Sequence, residues 1–305
     1  MPESTAFDRP IPIVYVTDLG FEEYDPADLF DLAFLFRSPE YQLVSVCLAR
    51  DPDSGRRVVD ALSLAASVDL PRLCDAVGLI NSLRDAPGPV NIVAAGGFAV
   101  VADVLRAVPE LFREKVARLF LVGGNANDYG DLETRRLPID PRLRDHFPGR
   151  FVSEGLAENS EDESSTWGTL LTSGQGVIWL PRDVCVWRYA APDVLRDGGV
   201  LTDFLLRELF CRHLVDYPGD RYAAAGRPVL LSALPAFLLA AKPDPFVWMR
   251  LFRAAAARVE TDSRGRISEL DLSSSAPNLY VVTAVDGQAV GKLLTARLRV
   301  RPLAT

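Results

Sequence analysis

Ile11-Pro12-Ile13-Val14-Tyr15-Val16-Thr17-Asp18-Leu19-Gly20 is the stretch on which the fold turns. Its branched and aromatic residues run without alternation, as in a strand buried on both faces, and the run stops at a carboxylate. The continuation, Phe21-Glu22-Glu23-Tyr24-Asp25-Pro26-Ala27-Asp28-Leu29-Phe30-Asp31, gathers more acids ahead of an apolar segment ending at Phe36. Asp25 as N-cap, Pro26 at the first helical position and Asp28 in the first turn make a good helix start. A strand end followed by a helix start is where open α/β sheets bind ligands. Two chemistries fit Asp18 and Asp28 there: plain capping of a turn and a helix, or convergence on one hard cation, which takes carboxylate and carbonyl oxygens.

Outward from this unit the pattern repeats as a βα succession. Strands are expected at Pro12–Thr17, Tyr41–Leu48, Val90–Ala95, Leu119–Val122, Gly176–Leu180 and Leu279–Ala284. Helices are expected at Asp28–Phe36, Arg56–Ser67, Phe98–Val108, Val200–Val215, Leu230–Ala241 and Val285–Leu298. The expectation is a mixed, mostly parallel central sheet flanked by helices on both faces, formed by residues 1–305 as one domain. Residues 125–168 hold few apolar side chains and the acidic run Glu158 to Glu163. So long a loop predicts a flap beside the site or a segment without fixed structure.

A formal charge of −8 gives no electrostatic reason for a nucleic-acid or anionic-membrane partner. Cys47, Cys74, Cys185 and Cys211 are scattered without a C-x-x-C pair, which suits free thiols in a reducing compartment. Two histidines, His146 and His213, leave little material for a histidine triad or a zinc centre. The first residues lack a basic region followed by an apolar one, and the longest apolar stretches are too short to span a bilayer. A cytoplasmic location is the expectation. Gly96-Gly97 and Gly123-Gly124 form no dinucleotide or Walker pattern, and tight turns explain them at least as well as a phosphate cradle. The tryptophans at 167, 179, 187 and 248 serve base stacking or, more simply, packing. Asn125-Ala126-Asn127-Asp128 follows a strand end; it is either a polar turn or a set of pocket contacts.

The ordered set of motifs resembles the inosine–uridine nucleoside hydrolase family. Val16-Thr17-Asp18-Leu19-Gly20 with Asp28 to Arg37 and Ser38-Pro39-Glu40 looks like that family's opening strand, acidic helix start and Ser-Pro-Glu turn. Val90 to Phe98 is similar to its strand ending in a glycine turn, and Leu119 to Gly124 to its Met-Gly-Gly strand end. Arg264-Gly265 and Pro277 to Asp286 look like its closing strand and helix.

The resemblance implies hydrolysis of the N-glycosidic bond of a nucleoside-like substrate, giving base and sugar. It implies Ca2+ held by Asp18, Asp28 and the Ala95 carbonyl, with Asp18 also the general base that activates water. Asn159, with Glu158 beside it, matches the amide that holds a ribose hydroxyl, and Asn125 stands as a further substrate contact. Relatives are commonly homodimers or homotetramers, so self-association is implied as well. The departures point the other way. Val16 and Ala27 stand where the family carries acids, and the segment Ser232-Ala233-Leu234-Pro235 has none where its distal aspartate belongs. A relative that binds a small ligand or a protein without hydrolysis is the alternative those departures leave open.

Overall fold

The structure, a computed structural model, describes residues 9–19, 26–50, 52–124, 161–181, 187–196, 198–216, 229–231, 233–241, 251–265, 267–271 and 278–299. The first half runs β1 (Ile11–Thr17), α1 (Ala27–Phe36), β2 (Tyr41–Leu48), α2 (Pro52–Ala66), β3 (Leu73–Cys74), α3 (Ala76–Asp85), β4 (Val90–Ala94), α4 (Phe98–Ala107), α5 (Pro109–Lys115) and β5 (Val116–Val122). The second half adds α6 (Glu161–Leu171), β6 (Val177–Leu180), β7 (Trp187–Tyr189), α7 (Ala191–Val194), α8 (Val200–Asp216), β8 (Val229–Leu231) and α9 (Leu234–Ala241). β9 (Phe252–Ala256), β10 (Arg258–Thr261), β11 (Ile267–Asp271), β12 (Leu279–Val285) and α10 (Gly287–Leu298) close it.

The main sheet has eight strands in the order β3-β2-β1-β4-β5-β6-β12-β9. All neighbours pair in parallel except β12 with β9, so the sheet is mixed but mostly parallel, as expected. The unbroken apolar character of β1 has a direct cause. Ile13 and Tyr15 point into one core cluster, and Val14 and Val16 into the other. Successive side chains of a strand face opposite sides, so a strand covered by helices on both faces must be apolar throughout. All four are fully buried.

On one face, α1 supplies Phe30 and Phe34, and Phe237 of α9 packs edge-on against Tyr15 with ring centroids 5.5 Å apart. The Tyr41 hydroxyl donates to the Phe237 carbonyl at 2.9 Å, tying β2 to α9. On the opposite face, Phe98, Trp167 and Trp179 form an aromatic stack, with centroids 4.6 and 5.7 Å apart. Trp179 Nε1 donates to the Gly123 carbonyl at 2.7 Å, so this indole serves packing and a strand end. Trp167 and Trp187 are buried too, and Trp248 lies outside the described residues. α10 is anchored by Arg297, whose Nη2 meets Glu40 Oε1 at 2.6 Å.

Three expectations are corrected. Leu230–Ala241 is not one helix: residues 229–231 form β8, paired antiparallel with β7, and the helix begins at Leu234. An apolar run broken only by Ser232 carries no period to separate the two states. Residues 161–168 belong to α6 rather than to a loop, while residues 125–160 lie outside the described ones. Pro26 is the N-cap of α1, already with helical dihedrals, one position later than the Asp25 cap that the sequence suggests. No helix among the described residues is long and apolar enough to cross a membrane.

Candidate active site at the carboxyl ends of β1 and β4

The chain passes from β1 outward to β2 and β3, then returns to lay β4 on the other flank of β1. The crossover direction therefore reverses between β1 and β4. In open α/β sheets the loops leaving such a pair separate, and the crevice they open is where ligands bind. Asp18 follows β1 at this point, and Ala95-Gly96-Gly97 follows β4. The Ala95 N–H donates to the Val16 carbonyl and the Ala49 N–H to the Thr17 carbonyl, each at 2.9 Å. These two bonds hold the ends of β2, β1 and β4 level around Asp18.

Gly96 is where Asp18 needs the absence of a side chain. A Cβ on Gly96 would lie 2.9 Å from Asp18 Cγ and 3.1 Å from its backbone nitrogen. The carboxylate is thus laid against the bare backbone of the β4 turn. Gly97 adopts a left-handed φ of 61°, and a Cβ there would meet Ala49 Cβ at 2.1 Å. Both glycines are explained by the turn, and α4 starts directly after it.

Asp28 sits in the first turn of α1 and is buried. Its two oxygens are held separately: Tyr15 donates to Oδ1 at 3.1 Å and Thr17 Oγ1 to Oδ2 at 2.7 Å. Thr17 Oγ1 in turn accepts from the Leu19 N–H at 3.1 Å. The side chains of Tyr15 and Thr17 alternate in phase on one face of β1, so the strand itself presents two hydroxyls to the helix start. Burial, and then the negative charges of Asp28 and Asp31, push the Tyr15 phenol well above its ordinary range, so it stays a donor.

Asp31, one turn further along α1, is a second buried carboxylate whose charge reaches Tyr15. No role was read for it in the sequence. The signal was present: an acid three residues after Asp28, on the same helix face, inside an otherwise apolar segment.

Thus β1 brings Asp18 and Asp28 to its carboxyl end, one on the β4 turn and one on the Tyr15 and Thr17 hydroxyls. Asn125, Glu158 and Asn159 lie outside the described residues, as do Glu22, Glu23, Asp25 and Ser232. Val16 and Ala27 are buried apolar residues, and Ala233 is buried as well. The donors at hand for Ca2+ are oxygens of the right kind, from Asp18, Asp28 and the Ala95 carbonyl. They are too few for a shell of six to eight. Among the described residues no three His, Cys, Asp or Glu side chains gather as a metal group. The described set does not fit a calcium ion on its own.

No family model matches the chain. Over 71 residues it is 41% identical to the pyrimidine-specific ribonucleoside hydrolase RihA of Citrobacter koseri; the stretch is 23% of this chain and spans 22% of that relative. Solved structures agree over nearly the whole length. The inosine–guanosine nucleoside hydrolase superposes with a TM-score of 0.64 at 13% identity, covering 95% of this chain and 99% of that one. A purine-preferring ribonucleoside hydrolase from Gardnerella vaginalis gives 0.60 at 14%, covering 94% and 98%. A plant nucleoside hydrolase gives 0.59 at 16%, covering 96% and 100%. The fold is that of the nucleoside hydrolases. The nucleoside hydrolase architecture explains why the acids collect after β1: it is the switch point of the sheet.

Proposed function

We propose that this chain hydrolyses the N-glycosidic bond of a nucleoside-like compound, releasing a base and a sugar, at the carboxyl ends of β1 and β4. The observation that carries the reading is Asp18 laid against Gly96 at the switch point of a nucleoside hydrolase fold. The solved neighbours and the curated relative are themselves named as nucleoside hydrolases.

In this reading Asp18 is the general base. It takes a proton from water as the water attacks the anomeric carbon and the bond to the base nitrogen breaks. Asp28 is a fixed negative charge. Two hydroxyls already orient its oxygens, and its charge, held beside the end of β1, stabilises the oxocarbenium-like transition state. The resemblance implies Ca2+ at the same place, where the described donors fall short of its shell. Glu158 and Asn159 are proposed as sugar or base contacts on the resemblance alone, and self-association likewise; Asn125 is proposed from its place after a strand end.

The test is release of free base and reducing sugar from a panel of purine and pyrimidine ribonucleosides. Turnover of at least one member by the wild type, with Asp18→Asn lowered by about 100-fold or more, is the expected result. Binding of nucleosides without release across the panel would instead support the second reading, a non-hydrolytic ligand-binding relative. The buried Val16 and Ala27 favour that reading, because they fill positions where the family carries acids.

A further inference from the structure

Cys47 and Cys74 are the two cysteines that the nucleoside chemistry leaves unused and the fold brings together. They are registered partners in the parallel pair of β2 and β3. Neighbouring parallel strands lie about 4.8 Å apart, inside the Cα separation that a disulfide spans. Both side chains belong to the same core cluster, so they leave the sheet on the same face. Cys47 is fully buried, whereas Cys74 is half-buried on the edge strand of the sheet.

The surroundings of the two sulfurs differ. The two thiols are neighbours on that face of the sheet, and the ionisation of one bears on the other. The neighbouring Cys47 thiol draws the Cys74 thiol down to about 7 against burial, helped by the Ser45 and Ser82 hydroxyls and the Arg72 guanidinium. The same pairing, together with burial, pushes Cys47 up. Asp75 is the acid next to them, and its carboxylate is occupied at the start of α3 by the Gly78 N–H at 2.8 Å. Gly78 closes over the pair: a Cβ there would touch Cys74 Cβ at 2.5 Å.

We propose that Cys74 and Cys47 form a peroxide-reactive dithiol, with Cys74 the attacked thiolate and Cys47 the resolving thiol. The Cys74 thiolate attacks one oxygen of hydrogen peroxide; the O–O bond breaks, hydroxide leaves and takes up a proton, and Cys74 becomes a sulfenic acid. The Cys47 sulfur then attacks the Cys74 sulfur. The S–O bond breaks, and the released hydroxide leaves as water with the proton of the Cys47 thiol. Two thiols lose two electrons, peroxide becomes two waters, and the disulfide staples the edge strand β3 to β2. Cys47 is the registered partner of Val16, two residues before Asp18, so the staple lies close behind the β1 end.

The experiment uses the full chain with Cys185→Ser and Cys211→Ser, leaving only this pair. Brief treatment with hydrogen peroxide is expected to remove both titratable thiols, lower the mass by two hydrogens, give a peptide linking residues 47 and 74, and revert with dithiothreitol. Adding Cys47→Ser should leave a sulfenic acid on Cys74 that dimedone traps; adding Cys74→Ser should leave the buried Cys47 unreacted. Circular dichroism confirms that each variant is folded. Two thiols still titratable after peroxide in the folded parent, or Cys74 driven to sulfinic acid beside a free Cys47, would overturn the proposal.

Discussion

Thr17 ties the buried Asp28 to the backbone that follows Asp18. Its hydroxyl gives its proton to Asp28 Oδ2 and takes the Leu19 N–H, so one side chain serves both a buried carboxylate and the backbone just after Asp18. Thr17→Val keeps the shape and the strand preference but removes both roles. It is expected to cost about 1–3 kcal/mol, because a buried carboxylate loses a donor and a buried N–H loses its acceptor. Urea unfolding against the wild type measures this; an unchanged midpoint would mean the network is not holding Asp28. Gly96→Ala acts on the other acid. With its Cβ 2.9 Å from Asp18 Cγ, the carboxylate must move. The proposed hydrolysis should fall by about 10-fold or more while the far-ultraviolet spectrum is unchanged.

At the scale of elements, what could be read from the sequence follows the strength of the periodic signal. β1, β2, β4 and β12 were legible because each is long enough to show a branched apolar run bounded by polar turns. β3, with two residues, has no period to show, and β8 merged into the apolar run that leads to α9. α3 was passed over although Asp75 caps it through the Gly78 N–H, a signal carried by one side chain rather than by a pattern. α6 is hidden by the scarcity of apolar residues and the acidic run before it, although acids in a first turn favour a helix start. Of the site, the acids after β1 and the glycines after β4 were visible as motifs. Their arrangement was not: that Asp28 turns to Tyr15 and Thr17 depends on strand phase and on α1 docking across β1. The β4–α4 turn supplies a test at this scale. Gly97→Ala forces a left-handed φ on an L-residue and drives its Cβ into Ala49. A loss of more than about 2 kcal/mol of stability is expected, read from thermal or urea unfolding.

The whole molecule stores several phenols in its core on the site side of the sheet. Tyr15 and Tyr41 are pushed above their ordinary value chiefly by burial, and Tyr189, which also shares a 2.8 Å hydrogen bond with Thr295, is pushed up to about 12. In the unfolded chain these groups lose their protons near pH 10.0. The folded state then binds more protons than the unfolded one, so stability falls as pH rises. The contribution is complete below pH 10.0 and, for Tyr189, is lost by about 12. Urea midpoints measured from neutral pH into this window should decline steeply, and Tyr189→Phe should make the decline shallower. A midpoint independent of pH there would contradict the burial of these hydroxyls.

The same architecture places the crossover reversal beside β1, and from it comes the claim that sugar is handled between Asp18 and the β4 turn. The most direct measurement is a crystal structure of the protein soaked with ribose. The prediction is a sugar bound at the carboxyl ends of β1 and β4, with hydroxyl oxygens within hydrogen-bonding distance of the Asp18 and Asp28 carboxylates. Ribose bound elsewhere, or crystals that take up ribose while Asp18 points away from it, would contradict the account.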